Sequence, residues 1–349
     1  MPAPAQIAGY RRIVLGPLSL RIRPRPLFAC GVLALALLAA ATWALMRGSL
    51  PLPAGDVLAA LTGGRATPQA VHIVREVRLP RVLLAMLVGA MLGLAGAAMQ
   101  TLTRNGLADP GLIGVKEGAS IAVLIVVFGA PGLALVWRPL AGMAGGLGAA
   151  LAVCLLARDL SGLRFVLVGI GLSWLLSAAL LVFLTTADIN DVETALVWLA
   201  GSLHAAAWPA LPGVALWGTV GALALAFTAR AADTALLGDA AARGLGVRLN
   251  GLNVVRLGSS VLMTAAAVSC AGSLGFVGLM APHMARLAVG GSQTALLAGS
   301  ALMGGVMVLA ADTAGRLAFA PLQIPAGIVM AVFGVPAFLL MLWHRRDRL

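Results

Sequence analysis

Long apolar runs separated by short polar clusters dominate the chain. The runs occupy residues 27–46, 82–103, 115–136, 139–157, 164–185, 209–229, 253–271, 274–289, 293–311 and 325–343. At ~1.5 Å of rise per residue, a run of about 20 residues matches the ~30 Å hydrocarbon core of a bilayer. The pattern therefore predicts an all-α membrane protein with ten transmembrane helices. The eighth run is short and interrupted by Pro282, which predicts an irregular helix sheltered by its neighbours. Three connections exceed what a hairpin needs: 47–80, with an amphipathic stretch over Pro53–Leu61 and a charged run from His72 to Arg81; 186–208; and 231–252.

Composition agrees with this reading. Of the 349 residues, 61% are hydrophobic and 10% charged, far from the balance of a water-soluble domain. The 43 glycines suit helices whose backbones approach closely in lipid. Gly89, Gly93 and Ala97 recur every four residues and share one helix face. The net charge of +12 comes from basic residues that punctuate apolar runs, which excludes the basic face of a nucleic-acid-binding domain. With the N-terminus inside, 17 of the 24 Lys and Arg fall on the inner side, so both termini are expected in the cytoplasm. The division is a basic tail over 1–26, a single permease domain over 27–343 and a second basic tail over 344–349.

Chemistry is sparse. No P-loop is present, and the single lysine, Lys116, has no Gly-rich phosphate cradle, so ATP would have to be used, with Mg, by a separate chain. The spans hold almost no ionisable residues of the sort that relay protons in secondary carriers. No paired carboxylates, H-E-x-x-H motif or nucleophile elbow supports an enzyme. Cys30, Cys154 and Cys270 lie singly in apolar runs and read as small hydrophobes. His283 reads as a structural residue capping a broken helix beside Pro282 and not as a metal ligand; no cofactor or metal is expected in this chain.

Five signatures, in order, carry a family resemblance. They are Arg78-Leu-Pro-Arg81 leading to Leu87-Val-Gly-Ala; Gln100 with Arg104-Asn-Gly-Leu-Ala-Asp-Pro110; Leu237-Gly-Asp-Ala-Ala-Ala-Arg-Gly-Leu-Gly-Val247; Gly275-Phe-Val-Gly-Leu-Met-Ala-Pro-His283-Met-Ala-Arg286; and Ile324-Pro-Ala-Gly327 with Gly334-Val-Pro336. From about Pro51 to Trp343 the chain resembles the FecCD family, the permease subunits of type II ABC importers for ferric siderophores, haem and cobalamin. One departure is Gly106, where the family usually has proline after the asparagine.

The resemblance implies a permease of the bacterial cytoplasmic (inner) membrane. It would pair with a second permease subunit, identical or paralogous, and with two ATPase subunits and a periplasmic or lipid-anchored substrate-binding protein. Ferric siderophore is the expected cargo; haem and cobalamin are the alternatives within the family, and a secondary transporter or channel is the alternative outside it. Arg78, Arg81 and Arg316 match outward arginines that receive acidic residues of the binding protein; their other reading is solvation or lipid-headgroup contact. Leu237, Gly238, Asp239, Ala242, Arg243, Leu245 and Gly246 match the cytoplasmic coupling helix that docks on the ATPase, although Asp239 and Arg243 also suit a plain i,i+4 pair. Asn105 and Leu107, with Ser161, Gly162 and Leu163, match inner constrictions of the pathway or are simple turn residues. Ser173 and Ser177, one turn apart, suit a weakly interacting pathway wall.

Overall fold

The computed structural model describes residues 11–15, 18–22, 24–48, 50–129, 137–158, 160, 162–318 and 320–345. A two-stranded antiparallel hairpin, β1 (Arg11–Leu15) and β2 (Leu18–Ile22), precedes the first helix. That helix, α1 (Pro24–Met46), starts three residues before the apolar run. Pro24 and Pro26 lie in its first turn, where a missing N–H costs nothing because that donor has no intrahelical partner. Next come α2 (Ala54–Thr62), α3 (Pro68–His72) and a π-helical segment (Ile73–Arg78) that runs without a break into α4 (Leu79–Leu102). The rest of the chain forms α5 (Val115–Gly129), α6 (Trp137–Ala157), α7 (Leu163–Thr186), α8 (Ile189–Leu199), α9 (Leu211–Ala235), α10 (Asp239–Gly244), α11 (Leu249–Ala271), α12 (Val277–Val289), α13 (Gln293–Leu317) and α14 (Ala326–Arg345).

Each of the ten apolar runs contains a helix, residues 130–136 of the third run lying outside the described residues, and among the described residues seven helical segments are long and apolar enough to cross a membrane. The charged run 72–81, expected in a connection, is instead helical. Pro80 cannot donate a backbone hydrogen bond, and in a regular helix its ring would press on the carbonyl four residues back. The wider π turn just before it, in which the Leu79 amide reaches the Val74 carbonyl, lets the helix continue. The eighth run breaks earlier than Pro282 implied: the chain leaves α11 at Gly272 (φ +70°) and re-enters helix after Phe276 (φ +65°), with Pro282 and His283 inside α12. His283 therefore does not cap the break.

The most buried spans, α4 and α11, form the centre, whereas α1, α7 and α9 present mostly exposed apolar faces. Helix α4 packs on α13 through glycine. A Cβ on Gly89 would overlap the Gly304 carbonyl, and one on Gly93 the Ser300 carbonyl. Gly96 meets Gly278 of α12 in the same way. Two helices can approach this closely only where side chains are absent, and close contact is a main source of helix affinity in lipid. Ala97, expected on the same seam, is fully buried.

Candidate functional site

Two polar clusters sit at opposite ends of α4. At its N-terminal end the fold gathers the three arginines singled out from the sequence. Arg78 lies in the π turn, only 5% exposed, and donates to the carbonyls of Leu45 (2.6 Å) and Leu50. Those groups are the C-terminal turn of α1 and the connection after it, where carbonyls lack helical partners and a cation is favoured. Arg81, in the first turn of α4, binds Asp312 of α13 through one edge of its guanidinium: Nε is 3.1 Å from both carboxylate oxygens and Nη2 is 2.8 Å from Oδ1. Its Nη1 donates to Gln323 Oε1 at 2.9 Å, and His204 Nδ1 lies 3.2 Å from that same oxygen. Arg316 does not project from the following loop as expected. It occupies the last turn of α13 and folds back, with Nε 3.2 Å from Asp312 Oδ2, and its side chain is 8% exposed.

One carboxylate, 2% exposed, thus stands between two guanidiniums 235 residues apart in sequence. Buried ion pairs of this kind persist when the remaining donors and acceptors are also satisfied, which Gln323 and Thr313 help to do. The unit keeps a net positive charge, with Arg78 alongside. Sequence reasoning passed over Asp312 and Gln323. The only available signals were an acid on a helix otherwise free of charge until Arg316, four residues later, and a polar residue in Pro321-Leu-Gln-Ile-Pro325.

At the other end, α10 is a single short helix between Gly238 (φ +104°) and Gly246 (φ +84°). Glycine suits these left-handed positions, which cost a residue bearing a Cβ. Ala242 is fully buried against Ala232, Leu249 and Leu252, whereas Leu237 and Leu245 are each 67% exposed and Arg243 faces outward. Two bare leucines thus flank the helix, with Asp239 and Arg243 between them. Asp239 does not form the i,i+4 pair with Arg243; it binds Arg104, which follows α4. Arg104 has a φ of +50° and opens the turn holding Asn105, whose Oδ1 accepts the Leu107 amide at 2.9 Å.

Behind α10 lies a polar core that sequence reasoning missed. Gln293 joins four helices: its Oε1 accepts from Arg256 Nη2 (3.0 Å, α11) and Thr101 Oγ1 (3.1 Å, α4), and its backbone N–H donates to Asp233 Oδ1 (2.8 Å, α9). Arg256 and Gln293 are 1% and 3% exposed. Arg256 is in the second turn of α11, near the start of the predicted run 253–271. A cavity of about 90 Å³ between this core and α10 is lined by Thr101, Thr103, Arg104, Asp239, Asn253 and Arg256, among others. Gln100 ties α4 to α12 through the Leu279 carbonyl (3.1 Å).

The other inner positions are less organised. Gly162 precedes α7 and Leu163 opens it, 74% exposed; Ser161 lies outside the described residues. Ser173 is buried on α7, near Gly114. Trp208 donates to the Arg75 carbonyl at 3.0 Å, placing the start of α9 beside the π turn. The three cysteines are free and partly buried.

Comparison with known proteins gives a consistent picture. The model of the FecCD transport family matches residues 35–344. The chain is 39% identical over 302 residues to the achromobactin transport system permease protein CbrC of Dickeya dadantii (strain 3937), covering 86% of each. It is 35% identical over 314 residues to the iron-uptake system permease protein FeuC of Bacillus subtilis (strain 168), covering 87% of this chain and 94% of that one. Among solved structures, a metal-chelate type ABC transporter in an inward-facing conformation superposes with a TM-score of 0.81 at 28% identity, covering 91% of this chain and 99% of the other.

Proposed function

Because this chain belongs to the FecCD transport family and is the membrane permease of an ABC importer, we propose that it carries a ferric siderophore from the outer face of the inner membrane to the cytoplasm. The reading includes ten spans with both termini cytoplasmic. It also includes a second permease subunit, two ATPases that use ATP and Mg, and a binding protein that delivers cargo. The arginine cluster at the start of α4 is the docking face for that binding protein, and α10 is the coupling element that meets the ATPase.

One observation carries the reading: a single buried helix has the arginine cluster at one end and the α10 contact at the other. An importer needs both ends of such an element, because cargo delivery on one face must be answered by ATP use on the other. Exposed Leu237 and Leu245 fit a groove on a partner, since apolar anchors within a polar rim are the usual centre of an interface. In this reading the turn holding Asn105 and Leu107 forms an inner gate with the start of α7, and the Arg104–Asp239 contact, which joins that turn to α10, supports a link between gate and coupling element.

The experiment is reconstitution in proteoliposomes with the cognate ATPase and binding protein, supplied outside with radio-iron siderophores, haem or cobalamin. ATP-dependent accumulation of a siderophore, and not of the other two, is the expected result. The chain alone in nanodiscs should hydrolyse no ATP. Accumulation driven by an ion gradient without the ATPase would overturn the reading.

A further inference from the structure

The docking arginines are not free. Each is largely withdrawn from solvent, and two of them share one acid. We propose that Asp312 is a positioning residue for binding-protein recognition: its carboxylate presents Arg81 and Arg316 in a fixed orientation, and Gln323 holds the place on Arg81 that a partner carboxylate takes. The proposal rests on the docking role assigned to the arginine cluster.

The geometry supports a division of Arg81 into two faces. Asp312 occupies the side edge, Nε and Nη2, at 2.8–3.1 Å. The remaining donor, Nη1, is held by the neutral and exposed Gln323, whose Oε1 is itself shared with exposed His204. A guanidinium is a rigid fork, so fixing one edge fixes the direction of the other. An acidic side chain arriving from outside offers Nη1 a charged acceptor in place of an amide oxygen, and charge-assisted hydrogen bonds are the stronger kind. Exchange at Gln323 requires no movement of Asp312.

The same carboxylate anchors Arg316 from below and offsets part of the repulsion among three arginines. Without it, two long side chains would be poorly packed cations with no common orientation, and each would lose rotamer freedom only when the partner binds. Such ordering costs weaken complexes without removing any contact. Asp312 thus lowers the attraction felt at long range and raises the quality of the bound state.

This trade gives Asp312→Asn a signature that simple damage to the fold would not produce. The assembled complex, in nanodiscs, is tested against the cognate binding protein by surface plasmon resonance across a range of salt concentrations. With one more net positive charge on the outer face, k_on at low salt should rise about 2–3-fold, with a steeper salt dependence, since such charges chiefly set encounter rates. With the arginines no longer oriented, k_off should rise by about 10-fold, so net affinity falls. Asp312→Glu restores the charge with a carboxylate one methylene farther out; its k_on should match wild type, while k_off stays raised by a smaller factor. Gln323→Ala should leave k_off within about twofold of wild type, as fits a placeholder whose oxygen the partner replaces.

Arg81→Glu is the control on the underlying reading. If it leaves docking unchanged, the docking assignment fails. If it weakens docking while Asp312→Asn leaves k_off unchanged or slower, docking stands and the positioning role is overturned. Asp312→Glu decides the matter if the asparagine variant does not assemble, and wild-type k_off there also counts against the proposal.

Discussion

Replacing Gly93 with alanine tests whether the α4–α13 seam is set by backbone contact. Three helical glycines form a graded series. Gly258 on α11 is exposed, with nothing near the position of an added Cβ. Gly218 on α9 would place a Cβ 3.0 Å from Met91 Sδ, the far part of a flexible side chain. Gly93 would drive it into the carbonyl of Ser300, which no rotamer change can move. Helix propensity favours alanine over glycine by about 1 kcal/mol in water and by less where the unfolded reference stays helical in lipid. All three variants share that gain, so it cancels in comparison. Overpacking a rigid contact costs about 1–3 kcal/mol. Gly93→Ala should therefore be less stable than Gly258→Ala by about 1–3 kcal/mol, with Gly218→Ala between them because methionine adapts. Apparent melting temperatures at one scan rate, in one nanodisc composition, give the ranking. A Gly93→Ala variant that melts with or above Gly258→Ala would refute backbone contact at the seam.

Further outcomes follow for the α10 end. Arg104 and Asp239 are about half exposed, so a double-mutant cycle to alanine should give a coupling of about 0.2–1 kcal/mol that shrinks as salt rises; a coupling indifferent to salt would contradict the exposed ion pair. Gly246→Ala should destabilise by about 1–2 kcal/mol, because its φ of +84° suits glycine, and should weaken assembly with the ATPase; unchanged stability would show that the turn relaxes. Leu237→Asp with Leu245→Asp should abolish ATPase binding, measured by co-purification, while the melting temperature of the isolated chain stays within about 2 °C, a change expected of well-exposed positions. Normal ATPase recovery would remove α10 from the coupling role.

The sequence made some parts of this protein plain and hid others for physical reasons. Helix positions were legible because a bilayer demands long apolar runs, and the Gly89–Gly93 face was legible because helical periodicity places it. The arginines were visible as residue types, but not their burial, since nothing local couples Arg81 to an acid 231 residues away. Asp239 was legible as part of α10 but invited the wrong partner: Arg243 has the right spacing, whereas Arg104 is brought to it by the end of α4. The Gln293 core escaped notice because single glutamines and threonines at helix ends carry no periodic signal. Helix through 72–81 was masked by Pro80 and by charge, both of which ordinarily argue for a loop.

The glycine contacts of α4 also constrain how this helix can move. Its 24 residues make a rod of about 36 Å, held flush against α13 at Gly89 and Gly93, near mid-length. A rod gripped at its middle acts as a lever on a fulcrum: sliding is opposed by the interlocked carbonyls, and tilting carries the two ends in opposite directions. A tilt of about 5° displaces each end by about 1.5 Å, enough to break a hydrogen bond of ordinary length. Arg81 rides one end and the Arg104 turn follows the other, so a shift at either cluster is felt at its opposite with the direction reversed.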